Sequence, residues 1–249
     1  AARTLLTEMS PALDESAIIV SVSKGIEIET GKRISEIAKE VVGSAHAFVC
    51  LSGPSFAKEV VTGTPTAVVA ASKDGPAARA VQADLSFENL RIYTNADIVG
   101  TELGGSVKNV MAIAAGISDG LGLGLNARAA LITRGLAEIA RLGAAFGGSP
   151  ETFFGLAGAG DLILTATGDL SRNRRVGLEL ARGRGLAEVL AGLGHVAEGV
   201  RSAKEVARIA AARGVDMPVT DAVNAVLEGK LAPAKAVELL LSRDPKKER

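Results

Sequence analysis

The stretch GGSVKNVMAIAAGISD (104–119) is an apolar run broken once, by the pair Lys108-Asn109. Its spacing is helical, and a helix places Gly104, Lys108, Ala112 and Ala115 on one face at three- and four-residue steps. Side chains that small do not cover a lysine, so they are expected to leave clearance beside the ammonium for something from outside the helix. A buried lysine costs free energy unless it is paired. Lys108 therefore reaches water along its aliphatic stem, closes an internal ion pair, or serves chemistry. The stretch also marks a change of pattern, with strand-like runs before it and helical ones after it.

Upstream, AIIVSVS (17–23), AFVCLS (47–52), TAVVAAS (66–72) and NLRIYTN (89–95) alternate with helical patterns at about 33–42, 55–62 and 75–85. Apolar strands alternating with helices predict a covered α/β sheet, mostly parallel, whose ligands bind beyond the carboxyl ends of the strands. Downstream, helical periodicity covers 103–117, 126–146, 172–181, 198–213, 221–228 and 233–241. Between these, Gly147-Gly148-Ser149-Pro150 reads as a helix stop followed by a cap and a proline at the first turn of the next helix. The expected division is an α/β unit over 1–96 and an all-α unit over 97–249. The charged tail 242–249 carries no functional expectation.

Composition removes several classes of function. Hydrophobic residues make up 47% of the 249-residue chain and 28 basic residues face 28 acidic ones, which fits neither a disordered chain nor a broadly basic nucleic-acid binder. Aromatics are 3% and Trp is absent, which leaves no stacking platform for single-stranded nucleic acid. Cys50 has no partner for an internal disulfide, and His46 and His195 are too few for a His-rich metal site. No apolar run reaches the roughly 18–20 residues of a membrane span and no signal peptide opens the chain, so a cytoplasmic location is expected. Helical periodicity begins at once, at Leu5, Leu6 and Met9, which reads as a chain cut inside a domain.

Polar residues concentrate at a few places. Lys24-Gly25 follows the first strand run and Gly53-Pro54-Ser55 the second. Each is either a plain turn or helix start, with Ser55 as cap, or a pair of ligand-side strand ends offering N–H donors and a point charge to an anion. GLGLG (120–124) and GLAGAGD (155–161) imitate phosphate loops, but no strand leads into either, so the dinucleotide fingerprint is absent. Asp161 ends the second of these and is followed by Thr165 and by Ser171-Arg172-Asn173 ahead of a helix. Arg172 can hold a phosphate bidentately with Asn173 or Ser171 adding hydrogen bonds; alternatively Asp161 and Ser171 cap helices and the arginines face water. Lys24, Lys108, Asn109, Asp161, Arg172 and Asn173 together suit a small anionic substrate undergoing proton-coupled chemistry at a carbonyl or hydroxyl.

SVKNVMAIAAGISDGLGLGLNARAALITRGLAE (106–138), GLAGAGDLILT (155–165), SRNRRVG (171–177) and SGPSFAKEV (52–60) resemble the bacterial NAD(P)-dependent glycerol-3-phosphate dehydrogenases, with VSKGIE (22–27) and VAEGVRSAKEV (196–206) in the same order. The resemblance implies a Rossmann domain, here without its GxGxxG segment, followed by an all-α substrate domain. It implies NAD or NADP as cofactor, dihydroxyacetone phosphate and sn-glycerol 3-phosphate as substrates, a role in phospholipid synthesis, and a possible homodimer. It makes Lys108 the catalytic acid/base, with Lys24 and Asn109 orienting the C2 oxygen and Asp161 and Thr165 beside them. Gly53, Ser55, Ser171, Arg172 and Asn173 would surround the substrate, while Lys24, Ala57, Arg172, Val196 and Glu198 would meet the cofactor. Two other readings remain open at this point: a non-catalytic binding or assembly module, and a related dehydrogenase acting on another hydroxy or sugar acid.

Overall fold

The computed structural model describes residues 1–194 and 197–244. The α/β part runs α1 (Ala2–Met9), β1 (Ile19–Ser21), α2 (Ile34–Val42), β2 (Phe48–Ser52), α3 (Ala57–Val61), β3 (Thr66–Ala71), α4 (Gly75–Leu85) and β4 (Leu90–Asn95). The helical part runs α5 (Ile98–Gly120), α6 (Gly124–Ala145), α7 (Pro150–Phe154), a π-type turn (Leu156–Gly160), α8 (Asp161–Thr167), α9 (Arg172–Ala181), α10 (Leu186–Leu193), α11 (Glu198–Ala212), α12 (Pro218–Leu227) and α13 (Pro233–Leu241).

The four strands form one sheet in the order β1-β2-β3-β4. β1 runs parallel to β2 and β3 parallel to β4, but β2 and β3 are antiparallel, with Cys50 opposite Ala71. Two of the three pairs are parallel, as expected of a mostly parallel sheet, and the antiparallel pair makes it mixed at its centre. A crossover must travel back the length of a strand, roughly 17 Å for five residues. The connection 53–65 contains only the five-residue α3 and brings the chain back at the same end of the sheet.

The strands alternate their burial between two layers. Val49, Val68, Ala70 and Ile92 pack with Ala77 and Val81 of α4, while Cys50, Val69 and Ala71 face Ile98 of α5 and Leu156 of the turn. Leu6, Ile19, Ile37 and Ala38 close a smaller cluster between α1, β1 and α2.

α5 begins five residues before its apolar periodicity. Asp97 Oδ1 accepts from Gly100 N at 2.8 Å and its Oδ2 from Ser149 N at 2.8 Å, so one carboxylate caps the helix and pins the loop ahead of α7. Every residue from Gly100 to Ser118 is buried, as a helix apolar on all sides must be. α6, α8, α9, α11 and α12 pack around it. α9 crosses α5 at Gly116 and Gly177; a Cβ on Gly177 would lie 2.0 Å from the Ile113 carbonyl oxygen. Gly177→Ala is therefore expected to cost about 3 kcal/mol, read as a lowered urea midpoint; an unchanged midpoint would contradict this packing.

α12 has no side-chain cap from its own preceding residue Met217. Glu138 of α6 supplies one instead, accepting from Val219 N at 2.7 Å, Thr220 N at 3.2 Å and Thr220 Oγ1 at 3.1 Å. Burial pushes its carboxyl up to about 7, against the pull of these donors. Glu138→Ala orphans all three donors and leaves a cavity, and we expect a loss of about 2–4 kcal/mol in equilibrium unfolding.

Candidate active site

Lys108 and Asp161 meet where α5 packs on α8. Lys108 is 6% exposed and Asp161, the first residue of α8, is 1% exposed. The Lys108 ammonium donates to Asp161 Oδ1 in a short contact and to Thr165 Oγ1, one turn further along α8, at 3.0 Å. Thr165 in turn donates to the Asp161 carbonyl at 2.6 Å, which fixes its hydroxyl. The other carboxylate oxygen of Asp161 accepts from Lys24 Nζ at 2.8 Å. Lys24 comes from the loop after β1 and also donates to the Gly53 carbonyl at 2.9 Å, just past the end of β2. Two ammoniums thus share one carboxylate across 137 residues of sequence.

The charge balance decides what this cluster can do. Two lysines against one aspartate leave one uncompensated positive charge in a region shielded from water. Desolvation pushes the Lys108 amine down to about 8, with Lys24 adding to the fall and Asp161 opposing it. An amine in that range can both give and take a proton near neutral pH, and the surplus charge favours an anionic ligand or a developing oxyanion.

Asn109, the next residue of α5, organises a second set. Its Oδ1 accepts from Asn173 Nδ2 at 2.9 Å and its Nδ2 donates to Glu198 Oε2 at 3.3 Å. Asn173 Oδ1 accepts from Gly199 N at 2.9 Å, so amides tie α5, α9 and the start of α11 together. Ser171 caps α9, accepting from Arg174 N at 3.2 Å. Arg172 is exposed at the first position of α9, and its guanidinium makes no hydrogen bond or ion pair among the described residues. An unpaired guanidinium at a helix N-terminus fits a phosphate-bearing substrate or cofactor.

Several expectations change. Ser55 does not cap the helix after it: the helix starts at Ala57, its cap position is Phe56, and Ser55 Oγ donates to the Gly53 carbonyl at 3.0 Å. Gly53 meets Lys24 through its carbonyl rather than as an N–H donor. The clearance expected at 104, 112 and 115 is filled by protein. A Cβ on Gly104 would lie 2.6 Å from the Ala157 carbonyl, and Ala112 and Ala115 are fully buried. The small residues let the π-type turn approach α5, and that approach brings Asp161 to Lys108. The same turn lies against the strand-end loop, with the Gly160 Cβ position 3.6 Å from Pro54. Ala57 and Glu198 are exposed, and Val196 lies outside the described residues. A cavity of about 860 Å³ between α2 and α4 is lined by none of the residues expected in the site.

Sequence reasoning missed Gly105 and Glu102. A Cβ on Gly105 would sit 3.4 Å from Lys24 Cγ and 2.9 Å from Ser52 Oγ, so the Lys24 stem crosses α5 where a side chain is absent. The signal was the Gly104-Gly105 doublet inside a helix, which costs roughly 1 kcal/mol per glycine unless packing needs it.

Taken together, a buried lysine–carboxylate–lysine triad at strand ends, beside an amide cluster and a free arginine, defines a site for proton-coupled chemistry on a small phosphorylated or carboxylated molecule. The comparisons specify it further. Residues 97–238 match the family model described as the NAD-dependent glycerol-3-phosphate dehydrogenase C-terminus, and residues 1–78 match its N-terminus. The chain belongs to this family of oxidoreductases. The "Glycerol-3-phosphate dehydrogenase [NAD(P)+]" of Dechloromonas aromatica is 59% identical over 230 residues, 92% of this chain and 70% of that protein. The enzyme of the same name from Geobacter metallireducens is 54% identical over 249 residues, 99% of this chain and 74% of the relative. Among solved structures, glycerol-3-phosphate dehydrogenase of Coxiella burnetii superposes with TM-score 0.94 at 42% identity, covering 98% of this chain and 74% of that one. The Saccharomyces cerevisiae enzyme gives 0.85 at 27% identity, with 96% and 72% covered. These matches favour the dehydrogenase over the non-catalytic module. No helix among the described residues is long and apolar enough to cross a membrane.

Proposed function

We propose that the chain reduces dihydroxyacetone phosphate to sn-glycerol 3-phosphate, reversibly and with NAD(P)H, and that Lys108 is its acid/base. The observation that carries this reading is the sharing of Asp161, 1% exposed, between Lys108 and Lys24. When bound, a nicotinamide cofactor would supply hydride chemistry at the substrate C2 in either direction. The chain holds the substrate and moves the proton. Lys108 Nζ gives a proton to the C2 oxygen as negative charge develops there, and recovers it in the oxidation direction. Lys24 and Asn109 orient and polarise that oxygen. Asp161 keeps the two ammoniums in place, and Thr165 fixes the direction of Lys108.

Arg172, Asn173 and Ser171 face the phosphate, with Gly53 and Ser55 at the glycerol end. Lys24, Ala57, Arg172 and Glu198 would hold the cofactor. The unpaired Arg172 supports a phosphorylated ligand over a simple hydroxy acid. Supply of glycerol phosphate to phospholipid synthesis, a cytoplasmic location and a homodimer complete the reading.

Absorbance of NADH or NADPH, followed with dihydroxyacetone phosphate, tests it directly. Oxidation that requires the phosphorylated ketone and is inhibited competitively by glycerol 3-phosphate supports the proposal. Oxidation with an unphosphorylated hydroxy- or sugar-acid partner in preference would overturn it.

A further inference from the structure

Glu102 lies on α5 between its start and Lys108, and is 4% exposed. Its carboxylate does not face the Lys108 cluster. Oε1 accepts from Ser35 N at 2.7 Å, and Oε2 accepts from Ser35 Oγ at 2.6 Å and from Arg33 at 2.7 Å. A buried acid from one helix thus accepts from an open N-terminal N–H of another, α2, with an arginine neutralising it. Arg33 is also the last residue of the loop that starts after β1 and carries Lys24.

That loop is held by the helical part as well as by α1, whose Arg3 pairs with Glu27, and by α2, whose Glu40 pairs with Lys32. Ile26 forms an antiparallel bridge with Arg33, and Glu27 N donates to the Lys32 carbonyl at 2.9 Å. The side chain of Ile26 is buried in the same core as Leu103 and Val107 of α5. At the loop tip, Gly31 lies so close to α11 that a Cβ would come within 2.7 Å of Ile209, and Arg208 donates to the Glu29 carbonyl at 3.3 Å. From this closed frame Lys24 reaches across Gly105 to Asp161 and Gly53.

We propose that Glu102 is a positioning residue for Lys24: by clamping Arg33 and Ser35 to α5 it fixes the loop that delivers the second ammonium to Asp161. The inference rests on the dehydrogenase reading only for the consequence in turnover; the clamp itself has a separate readout. Glu102 and Lys108 share one helix, so the clamp also sets the spacing between the two lysines that flank the carboxylate. Glu102→Gln keeps the shape but removes the charge that holds Arg33.

Two measurements on the protein test this. The first is the acetylation rate of Lys24 by acetic anhydride, read by peptide mass spectrometry. Glu102→Gln is expected to raise that rate by about threefold or more as the Lys24 contacts loosen. The second is a double-mutant cycle in kcat. Glu102→Gln alone is expected to lower kcat by about tenfold with the cofactor KM within about twofold, but to cost less than about twofold once Lys24→Ala is present. A purely architectural role would leave the labelling rate unchanged or make the two costs multiply, and either result overturns the proposal. Absence of turnover in the unsubstituted protein counts against the dehydrogenase reading, while the labelling rate still decides the clamp. Should Glu102→Gln fail to fold, Ser35→Ala removes one donor, keeps the Arg33 ion pair, and must shift labelling in the same direction.

Discussion

Lys108→Met lowers kcat for dihydroxyacetone phosphate reduction by about 10³-fold and leaves the protein folded. The magnitude follows from general acid/base catalysis, which contributes about 10²–10⁴-fold where a positioned group moves a proton in the transition state. Stability is expected to hold, because methionine fills the volume of the lysine stem and removes the surplus positive charge of the cluster. Lys24 then pairs with Asp161 one to one. Replacing a member of a buried charged set by an apolar group of similar size is often neutral when no charge is left alone. Substrate KM rises by less than about tenfold, since Arg172, Asn173 and Ser171 are untouched. A variant with near-normal kcat would remove Lys108 from the proton transfer.

Asp161→Asn is the opposite case, with a larger effect on folding than on volume. It leaves two ammoniums, Lys24 and Lys108, facing each other without an anion in a region shielded from water. Breaking a buried pair from one side typically costs 3–5 kcal/mol, and we expect at least about 3 kcal/mol here together with a fall in kcat of about 10²-fold or more. The pH dependence carries a sign. Asp161 raises the Lys108 pKa against desolvation, so its loss pushes the folded-state value further below about 8, while the unfolded chain keeps its ordinary 10.5. Between those values the unfolded chain binds more protons than the folded one, so variant stability increases with pH across that window. The deficit relative to the unsubstituted protein is therefore expected to be larger at pH 7 than at pH 10. Urea midpoints at the two pH values check this; a deficit independent of pH would mean that the carboxylate contributes packing rather than charge.

The parts of this fold that were legible in sequence are those set by local periodicity. Four apolar runs became β1 to β4, and the buried character of α5 followed from apolar residues on every side. The antiparallel β2–β3 pair was not legible, because strand direction depends on the path taken by the 53–65 connection and not on the apolar pattern of the strands. α10 was missed because eight residues between Gly185 and Gly194 give too few turns for a period to show.

In the site, Lys24, Lys108, Asp161 and Thr165 were each visible as polar residues in apolar company, and the structure brings these four together. What could not be read was the means of bringing them together. Gly104 looked like open space and Gly105 carried no reading; both are contact surfaces, one for the Ala157 carbonyl and one for the Lys24 stem. Glu102 carried no reading in the sequence; its partners Arg33 and Ser35 lie 69 and 67 residues away, beyond any spacing rule.

The central claim is that a lysine depressed to about 8 by its surroundings donates the proton to the substrate oxygen. It is tested most directly by kcat/KM for dihydroxyacetone phosphate reduction as a function of pH, in the unsubstituted protein and at the residual rate of Lys108→Met. The account predicts that kcat/KM falls as pH rises through about 8, because the protonated donor is lost, and that this limb is absent in Lys108→Met. The same limb persisting in Lys108→Met would assign the proton to another group and contradict the account.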